Sequence, residues 1–347
     1  MLIPLNEENL RRAARCLASG GLVAFPTETV YGLGADAFNE RALARIFAVK
    51  RRPFFDPLIV HIASLAALPR LVDVSALGGA GRERLDALSR ALWPGPLTLV
   101  LPKLPEVPGL ATGGLATVAV RFPSHEGAAA LIRLSTGAVA APSANPFGSL
   151  SPTRAQHVER TLGDAVDLIL DGGPTEIGVE STVLDLSEGC PRILRPGGAS
   201  AEAIEAVVGP VRGADNPLDS SAAPPASVRS PGQLKGHYAP ATALVLADGL
   251  RGLARDDECA YLFFSRESYG EEGGAKNVFI LSEAGELIEA AARLFDVLHD
   301  LDGGLWSCIY TERAPQEGLG CAINDRLAKA AAGSAGFTHI PPELRRK

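Results

Sequence analysis

Short apolar runs of strand length alternate with helical segments through the first two hundred residues of this 347-residue chain. The segment "EENLRRAARCLASGG" has apolar residues at helical spacing and ends at two glycines, and "LVAFP" follows it as a short strand. "ERALARIFAVKRR" predicts a second helix, with Asn39 as its N-cap and Pro53 as its stop. This interleaving restricts the chain to an α/β fold, in which helices cover a sheet.

The remaining strand candidates of this part decide what kind of sheet is expected. Some of their connections are short enough for antiparallel pairing, so we predict a twisted mixed sheet rather than a purely parallel one. The candidates are "PLIVHI", "PLTLVLP", "ATVAVRFP", "GAVAAPSAN", "DLILDGG", "ESTVLDL" and "RILRPGG".

The composition changes near residue 210, where prolines become frequent among serine, alanine and glycine. Such a segment is typical of a linker. Beyond it, "TALVLA", "CAYLFFS", "NVFIL" and "WSCIYTE" read as strands, and "AGELIEAAARLFDVLHDLD" reads as an amphipathic helix. We therefore predict a first domain over 1–210, a linker over 211–240 and a small Rossmann-like parallel α/β domain over 241–347.

Charge and cysteine content exclude several classes of protein. The net charge is −7, so a strongly basic nucleic-acid domain is not expected. The five cysteines are odd in number and form no CxxC pair, which argues against a disulfide framework or a structural zinc site. No secretory signal or membrane span is recognised, and a cytoplasmic location is predicted.

Several cations stand where an apolar segment ends. A helix dipole favours one cation among Lys50, Arg51 and Arg52, but it does not explain all three. Arg121 and Arg195 close apolar strands, where a charge is unfavourable unless it is paired or functional. Together they predict a cleft for a polyanion, with catalysis by positioning and electrostatics rather than by a covalent nucleophile.

Polar residues also follow predicted strands, and each has a structural alternative. The threonines of "FPTETVYGLGAD" can bond the backbone of a turn, and its glycines do not match a dinucleotide fingerprint. His61 can be an ordinary core histidine, and Ser151 fits an N-cap before Pro152 as well as a phosphate site. Ser143 and Asn145 have no capping role that we can assign.

Five of these stretches resemble the YrdC-type domain: "FPTETVYGLG", "KRRP…DPLIVHI", "SAN", "GVESTV" and "ILRPG". The linker "SPGQLKGHYAP" and the later "GLGCAINDRLAKAA" resemble the longer, two-domain threonylcarbamoyl-AMP synthases. The resemblance covers nearly the whole chain. It implies condensation of L-threonine, bicarbonate or CO₂, and ATP to threonylcarbamoyl-AMP and pyrophosphate. A separate transferase complex then uses the product to form threonylcarbamoyladenosine in tRNA.

The resemblance also implies roles for particular residues. A catalytic tetrad falls on Lys50, Arg52, Ser143 and Asn145. The L-threonine pocket maps to Thr29, His61, Arg121, Ala141 and Ser181. The nucleotide contacts map to Arg52, Asp56, Thr117, Ser143, Ser151 and Arg195, with His237 and Tyr238 of the linker as a lid over the nucleotide.

The metal expectation follows the same resemblance. Mg²⁺ is expected to accompany ATP, without a metal site made by protein groups alone. Asp56 stands where the family usually has asparagine, and an acid beside a triphosphate is unfavourable unless it faces Mg²⁺ or an arginine. Neither membrane association nor strong direct nucleic-acid binding is expected.

Two other functions stay open at this point. One is a carbamoyl-adenylate-forming enzyme that uses the same cleft, although the chain has no room for the further domains of such enzymes. The other is an RNA-binding or regulatory protein, against which the negative charge and the few aromatic residues weigh. Pyrophosphate release that depends on threonine and bicarbonate separates all three.

Overall fold

The structure, a computed structural model, describes residues 1–213, 230–232, 236–271, 274–304 and 306–334. The chain divides into two compact units. The first comprises Met1–Phe147, Pro152–Glu176 and Glu180–Leu234, and the second Gly148–Ser151, Ile177–Val179 and Lys235–Lys347. The last change of unit falls inside the predicted linker, of which residues 214–229 and 233–235 lie outside the described residues.

The described residues of the first unit form ten strands, which are β1 (Leu2–Pro4), β2 (Val23–Phe25), β3 (Gly32–Asp36), β4 (Ile59–Ile62), β5 (Leu97–Pro102), β6 (Thr117–Arg121), β7 (Ala138–Ala140), β8 (Leu168–Asp171), β9 (Thr182–Asp185) and β10 (Arg192–Arg195). They form one sheet in the order β1-β8-β2-β3-β7-β4-β6-β5-β9-β10. Pairs β1/β8, β2/β8, β4/β6 and β5/β9 are parallel, and the other neighbours are antiparallel. The predicted mixed sheet is confirmed.

Helices cover both faces of this sheet. Alternate residues of a strand point to opposite faces, so Leu22 and Ala24 enter one apolar core while Val23 and Phe25 enter the other. The helices of the unit are α1 (Glu7–Ala18), α2 (Glu40–Lys50), α3 (Gly78–Leu92), α4 (Gly109–Thr112), α5 (Glu126–Leu134), α6 (Ala155–Leu162) and α7 (Ala201–Val208), with 3₁₀ turns at Leu65–Arg70, Val74–Leu77 and Gly163–Ala165. As predicted, Asn39 caps α2, its side chain accepting from the N–H groups of Arg41 and Ala42.

Strand β3 was not expected, because its sequence "GLGAD" reads as a glycine-rich turn. It pairs antiparallel with β2 and is buried along most of its length. A Cβ at Gly34 would lie 2.7 Å from the ring of Phe25 and 2.9 Å from Val139. Glycine is needed there for close packing rather than for a turn.

The predicted N-cap role of Ser151 is wrong. Helix α6 begins at Ala155, with Arg154 as the N-cap residue and no side-chain cap. The carbonyl of Pro152 accepts a hydrogen bond from the N–H of Tyr31 at 2.8 Å. This bond commits Pro152 to pairing with the β2–β3 segment, so the helix starts three residues later than predicted.

Where the structure describes the second unit, it contains four parallel strands, β11 (Ala243–Ala247), β12 (Cys259–Ser265), β13 (Val278–Ser282) and β14 (Cys308–Glu312). Their order is β11-β14-β12-β13. The helices are α8 (Arg266–Tyr269), α9 (Leu287–Asp302) and α10 (Leu319–Gly333). The predicted small parallel α/β domain is confirmed. Among the helices of the described residues, none has the length and apolar character that a membrane span requires.

Candidate functional site

Lys50 holds the loop that carries Ser143 and Asn145. Arg51 follows it in the left-handed conformation (φ 52°) and ends α2, so that Lys50 is buried while Arg51 is exposed. The Nζ of Lys50 donates to the carbonyl oxygens of Ser143 and Asn145, each at 2.5 Å. Burial and the charge of Arg52 lower the pKa of Lys50 well below its usual value. The predicted tetrad residues Lys50, Ser143 and Asn145 are therefore in direct contact.

Arg52 and Asp56 form a buried ion pair, with 2.9 Å between Nη2 and Oδ2. Arg52 also donates from Nε to the carbonyl of Asp56 at 3.2 Å and from Nη2 to that of Pro57 at 2.8 Å. Burial raises the pKa of Asp56, against the opposing effect of Arg52, Lys50 and Arg195. Arg52 thus lies in the loop after α2, and the acid beside it faces an arginine. A contact of Asp56 with nucleotide stays a prediction.

Arg195, the last residue of β10, connects the two predicted subsites. Its Nη2 donates to the carbonyl of Ser181 at 2.8 Å and to Oγ of the same residue at 3.3 Å. Its Nη1 donates to the carbonyl of Pro231, in the described part of the linker, at 3.2 Å. Ser181 Oγ lies 2.8 Å from Oγ1 of Thr98. A residue predicted for the nucleotide and one predicted for threonine therefore touch.

Arg121 is held by three separate acceptors although it is only 4% exposed. Its Nε donates to the carbonyl of Gly95 at 3.3 Å, and its Nη1 donates to Oγ1 of Thr29 at 2.8 Å. Its Nη2 pairs with Oε1 of Glu28 at 2.8 Å. Burial acts to raise the pKa of Glu28, but Arg121 outweighs it and the net pKa lies below its usual value. The guanidinium is therefore fixed in orientation, and its charge is balanced by that of Glu28.

The register of the sheet aligns the predicted threonine residues. His61 on β4 lies opposite Arg121 on β6, and Arg121 lies opposite Thr98 on β5. Ala141, just beyond β7, donates its N–H to the carbonyl of Ile59 at 2.9 Å. His61, Arg121 and Thr98 thus lie in one row across three neighbouring strands, and Ala141 lies opposite Ile59, two residues along β4 from that row.

His61 is a buried neutral imidazole. Its Nδ1 lies 3.2 Å from the carbonyl oxygen of Ile59, which can only accept, so Nδ1 carries the proton and Nε2 is left as an acceptor. Burial, followed by the charge of Arg121, lowers the pKa of His61 to about 3. His61 is thus suited to accept a hydrogen bond, and it does not act as a cation near neutral pH.

The low pKa of His61 predicts a specific pH dependence of stability. The unfolded chain binds the proton below about pH 6.5, whereas the folded chain binds it only near pH 3. The stabilisation by neutral His61 is complete above the unfolded pKa and is lost as the pH falls towards 3. Between about pH 6 and 4, the free energy of unfolding should therefore fall more steeply in the wild type than in His61→Phe, by up to about 1.4 kcal/mol per pH unit.

This comparison requires a signal from the first unit alone. Trp93 lies in that unit and is buried, so its fluorescence during urea unfolding can be followed in a Trp306→Phe background. Parallel curves for the two proteins across this pH range would contradict a buried neutral His61.

Three of the residues predicted to contact the nucleotide, Ser151, His237 and Tyr238, lie in the second unit. The carbonyl of Ser151 is 3.0 Å from Nε2 of His299. Tyr238, at a φ of 64°, packs its ring 5.8 Å from Phe295 and under the guanidinium of Arg326 at 4.9 Å. The ring of His237 lies 4.5 Å from that of Tyr238. Contacts of Ser151, His237 and Tyr238 with a nucleotide stay predictions, as does that of Thr117, which begins β6 at the end opposite Arg121.

Two residues of the site were not predicted. Glu28 pairs with Arg121, and its sequence signal was an acid placed between two threonines directly after a strand. The hydroxyl of Thr98 is hydrogen-bonded to that of Ser181. Its sequence signal was a single polar residue within the apolar run "PLTLVLP". Neither signal is specific without knowledge of which strands are neighbours.

Within the described ranges, no group of three or more histidine, cysteine, aspartate or glutamate side chains could hold a metal ion. The acids closest to the cations are also already engaged. Asp56 pairs with Arg52, and Glu28 pairs with Arg121. The site is therefore cationic, with donors suited to carboxylate and phosphate oxygens.

Comparisons with known proteins match nearly the whole chain. A family model described as "Telomere recombination" matches residues 15–197, and one described as "Threonylcarbamoyl-AMP synthase, C-terminal domain" matches 199–332. The threonylcarbamoyl-AMP synthase of Pyrococcus abyssi is 43% identical over 94% of this chain and 95% of its own length. That of Bacillus subtilis is 41% identical over 94% of each.

A solved structure extends the likeness to three dimensions. The crystal structure of P. abyssi Sua5 complexed with L-threonine has a TM-score of 0.86 and 40% identity, covering 96% of this chain and 98% of that one. The resemblance noted from the sequence motifs is confirmed. Matched by both family models and along nearly its whole length, the chain belongs to the threonylcarbamoyl-AMP synthase family.

Proposed function

We propose that the chain condenses L-threonine, bicarbonate or CO₂, and ATP into threonylcarbamoyl-AMP and pyrophosphate. The observation that carries the proposal is the full-length likeness to threonylcarbamoyl-AMP synthases, one of them crystallised with L-threonine. The buried basic side chains of Lys50, Arg52, Arg121 and Arg195 support it, because the reaction brings together a carboxylate, a carbamate and a triphosphate.

In this proposal, Arg121 binds the carboxylate of threonine. Its guanidinium is fixed by Gly95, Thr29 and Glu28, so a planar donor fork is oriented before the substrate arrives. The neutral His61 on the neighbouring strand β4 and Ser181 just before β9 supply further polar groups. Prior orientation of this kind favours binding because less freedom is lost on association.

The chemical step joins the two subsites. The unprotonated amine of threonine attacks CO₂ and releases a proton, which gives a carbamate. A carbamate oxygen then bonds to the α-phosphorus of ATP while the bond from that phosphorus to the bridging oxygen breaks and pyrophosphate leaves. Arg52 and Arg195 stabilise the phosphate oxygens, and Lys50 holds the 143–145 loop against them. Burial of these side chains limits water, in which the carbamate decomposes.

We further propose that Mg²⁺ enters with ATP and is held chiefly by its phosphates. Asp56 already pairs with Arg52, so the phosphates rather than a protein carboxylate are expected to supply the ligands of the ion. When bound, the ion neutralises phosphate charge. The product would serve the modification of tRNA through a separate transferase complex, and the cytoplasm remains the predicted location.

The test is pyrophosphate release by the purified full chain with ATP, Mg²⁺, L-threonine and bicarbonate. Release is expected only when all are present, with threonylcarbamoyl-AMP as the chromatographed product. Release with carbamoyl phosphate in place of threonine and bicarbonate would favour the carbamoyl-adenylate alternative. No release, together with tight RNA binding at moderate salt, would favour the RNA-binding alternative.

A further inference from the structure

The hydroxyl of Thr27 has its proton committed to the backbone. Oγ1 of Thr27 donates to the carbonyl of Val30 at 2.7 Å, and it accepts from the N–H groups of Thr29 and Val30 at 3.2 and 3.3 Å. It also lies 2.8 Å from Oγ1 of Thr29. A hydroxyl has one proton and a carbonyl can only accept, so the contact between the two threonines must use the proton of Thr29. The two longer N–H bonds then share one lone pair of Thr27 Oγ1 as a three-centre bond, and its other lone pair receives that proton.

The hydroxyl of Thr29 is also bonded on its other side. Nη1 of Arg121 donates to Oγ1 of Thr29 at 2.8 Å, which occupies one of its two lone pairs. Thr29 is fully buried, so its hydroxyl has no bulk water to turn towards. With its proton given to Thr27 and one lone pair taken by Arg121, a single lone pair remains. Thr29 can therefore receive a hydrogen bond from a ligand but cannot give one.

We propose that Thr27 is a positioning residue that keeps the hydroxyl of Thr29 as a hydrogen-bond acceptor towards the ligand. This fixed polarity of Thr29 selects an amino acid with a β-hydroxyl. The inference rests on the proposed function, in which Thr29 lines the threonine pocket. The substrate group that donates to Thr29 is its hydroxyl rather than its amine. If Thr29 accepted a hydrogen bond from the substrate nitrogen, it would favour the protonated amine. Carbamate forms only from the unprotonated amine, so such a contact would oppose the reaction.

The polarity has a direct consequence for specificity. L-Valine has the shape of L-threonine with a methyl group in place of the hydroxyl. In the pocket it would leave the last lone pair of Thr29 buried without a donor, which a site built for a hydroxyl does not tolerate well. If the hydrogen bond between the two threonines were removed, the hydroxyl of Thr29 could rotate and donate a hydrogen bond. The preference for L-threonine over L-valine would then weaken.

The experiment compares Thr27→Val, which keeps the shape and loses the hydroxyl, with Thr27→Ser, which keeps the hydroxyl. The ratio of kcat/KM for L-threonine to that for L-valine should fall about tenfold in Thr27→Val and return to near wild type in Thr27→Ser, while the KM for ATP stays unchanged. Thr112→Val is the matched control, because Thr112 is a buried threonine whose hydroxyl bonds only the carbonyls of Gly109 and Leu115.

Calorimetric titration with the two amino acids repeats the comparison without turnover. A wild-type ratio in Thr27→Val would overturn the inference, and so would an equal loss for both amino acids that Thr27→Ser does not repair. If the wild type binds threonine selectively, and Thr27→Val loses that selectivity, but no pyrophosphate is released, the proposed reaction is wrong and the inference about Thr27 stands. A wild type that binds no threonine would overturn both.

Discussion

Arg52→Ala is expected to lower threonine-dependent pyrophosphate release by at least about a hundredfold, with a matching loss of ATP affinity. One donor removed from a site that stabilises developing charge has an effect of this order. The same change should lower the free energy of unfolding by about 3–5 kcal/mol, because Asp56 is then left buried without its partner. The carbonyls of Asp56 and Pro57 also lose their donor.

Arg51→Ala is the matched control for Arg52→Ala. The two arginines are adjacent, but Arg51 is exposed and ends the helix with its backbone. Its truncation should leave ATP affinity and activity within about twofold of wild type, as is usual for surface changes. Calorimetry of ATP binding and urea unfolding of the three proteins make the comparison.

A double variant separates binding from folding. Arg52→Ala with Asp56→Ala removes the unpaired acid together with the cation, so part of the lost stability should return while ATP affinity stays low. Wild-type ATP affinity in Arg52→Ala would contradict the assignment of this arginine to the nucleotide. Recovery of ATP affinity in the double variant would mean that Asp56, left unpaired, had repelled the phosphates.

Apolar patterning in the sequence was sufficient to predict most of the fold. Runs such as "PLIVHI" and "CAYLFFS" became β4 and β12, because a strand covered by helices on both faces needs continuous apolar residues. The strand "GLGAD" was not predicted because it lacks such a continuous apolar run. Its glycines are selected by the close approach of Phe25 and Val139, which no local pattern reveals. The grouping of Gly148–Ser151 and Ile177–Val179 with the second unit depends equally on distant contacts.

The charged residues of the site were predictable singly, but their pairing was not. Cations that end apolar segments pointed to Arg52, Arg121 and Arg195 from the sequence alone. The partner of Arg121, however, is Glu28, a residue 93 positions away that only the strand order brings near. Compensation by such partners changes the expected result of mutation. The removal of a cation that only binds ligand would leave the fold intact, whereas the removal of Arg52 or Arg121 is expected to destabilise it.

Arg121→Lys is expected to raise the KM for L-threonine at least about tenfold while leaving the KM for ATP unchanged. Lysine keeps the charge that compensates Glu28, but it has no planar fork with which to hold Gly95, Thr29 and a carboxylate at once. Stability should therefore fall by only about 1–2 kcal/mol, as for lost hydrogen bonds. Arg121→Ala should lose about 3–5 kcal/mol, because Glu28 is then buried alone.

The order of these two variants distinguishes an oriented donor from a mere positive charge. If charge alone attracts threonine, Arg121→Lys should bind it nearly as well as wild type, and only Arg121→Ala should fail. If orientation matters, both variants bind threonine weakly, while only Arg121→Ala shows the larger loss of stability. Arg133→Lys, at the exposed end of α5, supplies the control for the substitution itself. A near-normal threonine KM in Arg121→Lys would therefore remove the fixed guanidinium from the mechanism, and with it the reason for burying Glu28 beside it.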